Sequence, residues 1–287
     1  MNIYYTIADI DYIQPFLNFL NSVKGIALQS GEKLNEQTLG RYANAKHGLE
    51  RNREMSVRKA LTEVVDGERK FNQGAYGQYR KEVAVIRKNG KSWVEQQNEL
   101  DALAAKYGAT IKDYSGLTAI FDAEQKKKYA DVRKAAVDMV LEVEGKINSK
   151  MFWEQINGIN GYSLKENFES GLMSKKDYDN ISDMYEYYVP LRGHKDTMAE
   201  DVYEYVEEKK SNLNGVVKTA HGRTSEAKDI FATMLNMANS AIVFGSKNRL
   251  KQRLLNLALM NRTPLLSVGE AWYIKAGNVY TPAYPNI

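Results

Sequence analysis

The sequence predicts a mainly α fold, an elongated multi-helix bundle with loop-rich connections and an irregular aromatic C-terminal segment. Three observations lead there. Five prolines in 287 residues is about 2% against a usual ~5%, which leaves long stretches without the residue that breaks helices. Apolar side chains recur at spacings of three and four along most of the chain, the period of one helical face. Cysteine is absent, so no disulfide or thiolate metal site can stand in for a packed core. At roughly 150 residues per domain, the length suits one large or two ordinary domains. We place an N-terminal helical region at 1–172 and a C-terminal one at 173–287.

The first element is a short amphipathic docking helix, with Ile13, Phe16, Leu17 and Leu20 on one face, opened by Asp11 and closed near Gly25. A longer helix spans Asn35 to about Val65, with Leu39, Tyr42, Ala43 and Leu49 on its buried stripe. Between Asp66 and Lys91, Gly67, Gly74, Gly77 and Gly90 alternate with charged residues, which predicts a loop-rich connection with one short helix around Tyr79 to Arg87. Trp93, Leu100, Leu103, Ala104 and Tyr107 restore the helical period up to Gly108.

The most regular stripe, Tyr129, Val132, Ala136, Val140, Val143 and Ile147, predicts a core-facing helix from Asp122 to about Met151. Gly158, Gly161 and Gly171 mark a break. Ser174 then caps a helix from Lys175 to Tyr187, with Asp177 at the third helical position. Tyr188-Val189-Pro190-Leu191-Arg192-Gly193 reads as an elbow, because proline holds Val189 extended. Thr224 or Ser225 is the expected cap of a last long helix carrying Ile230, Met234, Met237, Ala241 and Phe244. Gly245 is expected to kink it or to rotate its buried face to Leu250, Leu254, Leu257 and Leu259. After Pro264 the chain keeps aromatic residues but no helical period.

Charge and hydropathy exclude several classes. Forty Lys and Arg against thirty-six Asp and Glu leave +4, short of the excess of a dedicated nucleic-acid binder. Apolar runs such as Ala241 to Gly245 are far below the ~18–20 residues that span a bilayer. The N-terminus has no basic segment and cleavage site of a signal peptide, and Asp9 and Asp11 interrupt its apolar run.

Two clusters are candidates for chemistry or binding. Lys46, His47, Glu50, Arg51 and Asn52 fall within two helical turns. A catalytic reading makes His47 a general base oriented by Glu50, but no nucleophile or metal ligand completes it. A salt-bridge and hydrogen-bond network, or an interaction surface, accounts for the same residues. Lys247, Arg249, Lys251 and Arg253, with Arg262 beyond, are candidate phosphate contacts on a strip opposite the leucine stripe, and Lys126, Lys127 and Lys128 form a second basic run. A solvated helix face is the simpler account. His194 with Asp196, and Glu200 with Asp201, lack metal-site spacing, and the glycine loops of nucleotide sites and the nucleophile elbow are missing. No cofactor or metal is expected.

Gly40-Arg41-Tyr42-Ala43-Asn44-Ala45-Lys46-His47-Gly48-Leu49-Glu50-Arg51-Asn52 resembles the Y-x-x-A-K/R-H-x-x-E-R-N helix of the giant polyvalent proteins of tailed phages and conjugative elements. Leu172-Met173-Ser174, leading into Tyr188-Val189-Pro190-Leu191-Arg192, resembles a second segment of that family. Gly222-Arg223-Thr224-Ser225 with the helix carrying Asn236, Ala238, Asn248 and Arg249 is similar to a third. The resemblance covers roughly residues 35 to 275, in matching order.

It implies a helical module that in the family is embedded among enzymatic ones and travels with DNA into the host. The expected function is therefore a noncatalytic scaffold or interaction module, in the virion interior or in the host cytoplasm after DNA entry. Its expected partners are other modules of the same polyprotein or virion proteins. A non-specific DNA-binding accessory module is the alternative, and an unrecognised nuclease or modifying enzyme a third class. Family members often run to thousands of residues, so this chain is expected to be a fragment, a processed product or a shortened relative.

Overall fold

The computed structural model describes residues 9–111, 117, 121, 131–182, 184–191 and 229–261, with the backbone of 266–268, 273–276 and 279–282. The expectations placed on Lys126, Lys127 and Lys128, on His194, Asp196, Glu200 and Asp201, on Gly222 to Ser225, and on Arg262 lie outside the described residues. Eight α-helices dominate the rest, so the fold is mainly α. The described residues fall into two compact units, one of Ile26–Ile147 and one drawn from before and after it. The boundary expected at 172 does not coincide with that division.

In the first unit, Asn35 accepts a hydrogen bond from the Thr38 amide at 2.8 Å and so starts helix α1 of this unit's core, Glu36–Ala60. A cap of this kind satisfies one of the amides that have no partner within the helix. The helix stops at Ala60, and a few residues on Asp66 (φ 56°) and Gly67 (φ 80°) turn the chain back. Both central residues at positive φ define the hairpin turn whose twist matches its strands. Strands β1 (Thr62–Val65) and β2 (Glu68–Phe71) pair antiparallel across it, Val65 opposite Glu68.

The connection expected to be loop-rich is therefore a hairpin followed by a full helix, α2 (Gln73–Arg87), which Asn72 caps. Its Tyr76, Tyr79 and Val83 are buried at helical spacing, and that apolar stripe outweighs the glycines. Helix α3 (Trp93–Lys106) begins with a reciprocal capping box between Ser92 and Glu95. Val57, Tyr76, Tyr79, Val83, Leu100, Leu103 and Ala104 share one core, each large apolar side chain contributing about 1.5–3 kcal/mol on burial.

Asp131 caps helix α4 (Val132–Glu144), whose Ala136, Val140 and Val143 are buried as the stripe predicts. The stripe does not continue as one helix to Met151. The chain leaves helical order after Glu144, and Asn148 opens a new helix, α5 (Ser149–Glu169), in the second unit.

The glycines Gly158 and Gly161, expected to break the chain, lie inside α5. A Cβ at Gly158 would stand 3.4 Å from the Tyr12 ring, an ordinary contact. A short helix at Gln14–Val23, α6 in our labelling, follows a single π-helical turn. It buries Phe16, Phe19, Leu20 and Val23, while Leu17 stays exposed. Phe19 meets Phe152 of α5 with ring centroids 5.7 Å apart, and Phe16 meets Phe231 at 5.1 Å. Ser174 accepts the Asp177 amide at 3.1 Å, as expected of a cap, but the helix it opens, α7, ends at Ser182 (Lys175–Ser182).

The elbow packs on α5: Asn160 Nδ2 donates to the Tyr188 carbonyl at 2.8 Å, and Val189 and Pro190 are buried. Tyr188 and Leu191 are only half-buried.

The last helix, α8, runs unbroken through Gly245 (Ile230–Asn261). Asp229 supplies its cap, accepting from the Phe231 and Ala232 amides at 2.9 and 3.1 Å. The buried face is Phe231, Met234, Ala238, Ala241, Gly245, Asn248 and Leu255, one seam along the helix. A Cβ at Gly245 would stand 2.5 Å from Glu166 Oε1 and 3.1 Å from Ser170 Cβ. The glycine thus lets α5 and α8 approach closely, and helical order continues through it. Asn248 Nδ2 donates at 2.7 Å to the Ser170 carbonyl, closing the end of α5. Where the sequence suggested irregular chain, the backbone forms a three-stranded antiparallel meander, β3 (Leu266–Val268), β4 (Tyr273–Ala276) and β5 (Val279–Pro282).

Candidate functional site

Helix α1 is buried on every side between Tyr42 and Glu54 although most of those residues are polar. Helices hydrophobic all round are the usual occupants of such a position. Here charged side chains occupy it, and burying an ion is unfavourable by several kcal/mol unless it is paired. The partners come from all three neighbouring helices.

Lys46 Nζ donates to Glu144 Oε1 of α4 at 2.5 Å, and the Tyr42 hydroxyl donates to the same oxygen at 2.9 Å. The Lys46 ammonium also stands 5.3 Å over the Trp93 ring. Glu50 pairs with Arg87 of α2. One turn on, Arg53 Nε donates to Asp101 of α3 at 2.7 Å and its Nη2 to Gln97 at 2.5 Å. Asp101 uses its other oxygen for Arg133 of α4, also at 2.7 Å, so one carboxylate joins three helices.

Glu54, only 3% exposed, accepts from the Tyr76 hydroxyl and from Arg58, with Arg80 at 3.7 Å. Burial first, and then the Glu54 charge, push the Tyr76 hydroxyl up to about 12. Burial raises Tyr79 further in the same direction. The Tyr76 hydroxyl is thus held neutral and serves as a donor to Glu54.

The sequence brought out Lys46, His47, Glu50, Arg51 and Asn52 but missed Arg53 and Glu54, which also bind neighbouring helices. An i, i+4 reading finds neighbours on the same helix, whereas these partners are distant in sequence. Helical spacing sends Asn44, Arg51 and Asn52 to the face opposite the one carrying Lys46, Glu50 and Arg53, with His47 at the boundary beside Glu50. Asn44, His47, Arg51 and Asn52 are all buried. Gly48 lies between Asn44 and Asn52, and a Cβ there would meet Leu117 Cδ2 at 2.6 Å. Leu117 therefore seats directly on the backbone of α1. His47 and Glu50 lie three residues apart, neighbours on the surface of α1, and the Glu50 carboxylate is engaged by Arg87 of α2. Asn44 Oδ1, Asn52 Nδ2 and Trp93 Nε1 have no hydrogen-bond partner among the described residues.

The basic cluster of α8 is arranged differently from the expectation. The leucine stripe is not the buried face: Leu250, Leu254 and Leu257 are exposed, because close packing of Ala238, Ala241 and Gly245 against α5 selects the other side. Arg249 is engaged by Glu166 of α5, with 37% of its side chain exposed. Lys247 and Arg253 are exposed and Lys251 half-buried. Burial lowers the Lys251 ammonium, and neighbouring Lys247 adds to that.

Among the described residues, no group of three or more His, Asp or Glu side chains is placed to hold a metal ion, and no helix is long and apolar enough to cross a membrane. No family model, curated protein or solved structure matches the chain.

Proposed function

We propose that the chain is a noncatalytic helical scaffold or interaction module of a phage or mobile-element polyvalent protein, acting in the virion or accompanying DNA into the host. One observation carries the noncatalytic part: Lys46, Glu50, Arg53 and Glu54 are each committed to a partner on a neighbouring helix. A catalytic acid or base must reach a substrate, and charges used up in buried pairs serve instead to hold helices in register. Support for the mobile-element setting is the resemblance of the α1 segment and of the elbow segment to that family.

The test is to look for the chain in purified particles, or in recipient cells during conjugation with host protein synthesis blocked. Transfer of the pre-made protein supports the reading, and its absence from particles and recipients speaks against it. Non-specific DNA binding is the second reading, resting on the exposed Lys247 and Arg253. A duplex titration at several salt concentrations tests it, each phosphate neutralised giving a slope of about −0.9 in log K against log salt.

A further inference from the structure

The outer face of α8 carries a row of exposed leucines. Leu250, Leu254 and Leu257 follow one another at i, i+4 and i+7, with 58%, 37% and 48% of their surface exposed. Single exposed leucines are ordinary, but an aligned row is not. The row lies opposite the seam through Ala241, Gly245 and Asn248, so the helix uses one face for the core and leaves an apolar one outside.

Cations border this row on both sides. At 100° per residue, Lys247 and Lys251 fall along one edge and Arg253 along the other. The Lys247 ammonium is 5.8 Å over the Phe244 ring. No Asp or Glu occurs between Asp229 and Glu270, so nothing on the helix itself offsets these charges, apart from Arg249, which α5 already neutralises through Glu166.

We infer that this face of α8 docks on an anionic lipid bilayer surface, lying in the plane of the headgroups without crossing them. Helices that do this combine an apolar row with flanking Lys and Arg. The leucines enter the boundary between headgroup and acyl chain, while the long cationic side chains reach outward to phosphate. Duplex DNA would be met by the cations alone, and a row of leucines between them would be a desolvation cost with no return. The lipid surface uses both features, which is why it is favoured over the duplex.

The experiment is sedimentation of the whole chain with vesicles of phosphatidylcholine alone or mixed with phosphatidylglycerol, alongside a duplex titration. Binding is expected only to the anionic vesicles. Lys247→Gln, Lys251→Gln and Arg253→Gln together should weaken it by roughly a hundredfold, at about fivefold per cation. Leu250→Ser with Leu254→Ser should abolish the binding that persists at high salt and leave any duplex affinity unchanged. Both variants alter exposed or half-buried side chains, and circular dichroism checks that each stays helical. Absence of binding to anionic vesicles at low salt overturns the inference. So does vesicle binding indifferent to the leucine changes, which would assign the face to polyanions such as DNA.

Discussion

Lys46 and Glu144, which stand 98 residues apart in sequence, are joined by a 2.5 Å contact between Nζ and Oε1. Each is mostly shielded from water, the lysine side chain 5% and the glutamate 17% exposed. The pair fastens α1 to α4, and Tyr42 adds a second donor to the same oxygen. Such a contact adds little net stability when compared with well-packed apolar residues, but losing one partner leaves a buried charge uncompensated. Its use is to specify which helix lies where.

Tyr76 makes the network sensitive to alkaline pH. Its hydroxyl rises from the usual 10.0 to about 12 in the folded chain, so between those pH values the folded state keeps a proton that the unfolded state has released. Stability contributed by this group is complete below pH 10 and is lost as pH rises toward 12. Tyr76→Phe should flatten the decline in denaturation midpoint across that window. An unchanged slope in the variant would show that burial and the Glu54 charge do not hold the hydroxyl protonated in the folded chain.

Two glycines of the α5–α8 pair should respond oppositely to alanine. Gly245→Ala places a methyl group 3.1 Å from Ser170 Cβ and 2.5 Å from Glu166 Oε1, whose side chain Arg249 already holds in place, and such overpacking costs typically 1–3 kcal/mol. Gly161 lies inside α5 with nothing within 4 Å of its added Cβ, so Gly161→Ala should stabilise by roughly 0.5–1 kcal/mol through helix propensity. Chemical denaturation of both variants measures the contrast, and equal effects would contradict the close approach of α8 to α5.

The hairpin gives a local prediction. Gly67 sits at φ 80°, where an L side chain costs roughly 1–2 kcal/mol. Gly67→Ala should raise amide exchange in β1 and β2 while leaving the Tyr79 and Leu103 core protected. Unaltered exchange at Thr62 to Phe71 would argue against the paired turn.

Local signals were legible in the sequence wherever the physics is local. Ser92 with Glu95, and Ser174 with Asp177, announce helix starts because the capping groups lie three residues apart. Asp66-Gly67 carried the hairpin signal too, but the surrounding glycines made it read as a loop. Periodicity placed Leu39, Tyr42, Ala136 and Val140 inside correctly.

It failed on α8, where the strongest apolar row, Leu250 and Leu254, points outward. Small residues won the buried face there, since Ala241 and Gly245 permit an approach that leucine would prevent. The polar cluster was recognisable as a cluster from Lys46 to Asn52, whereas Glu144, Arg87 and Asp101 were not. A helical pattern tells which face is special and says nothing of the distant residue that will meet it.

If the buried polar residues of α1 are architectural, a double-mutant cycle on Lys46 and Glu144 will show it. Lys46→Met, Glu144→Gln and the double variant are unfolded in urea with the wild type as reference. Each single change is expected to destabilise, with the pair coupled by about 0.5–3 kcal/mol and the double variant recovering part of the loss. Strictly additive effects, or single variants as stable as the wild type that have lost transfer with DNA, would contradict that expectation and move the cluster from architecture to function.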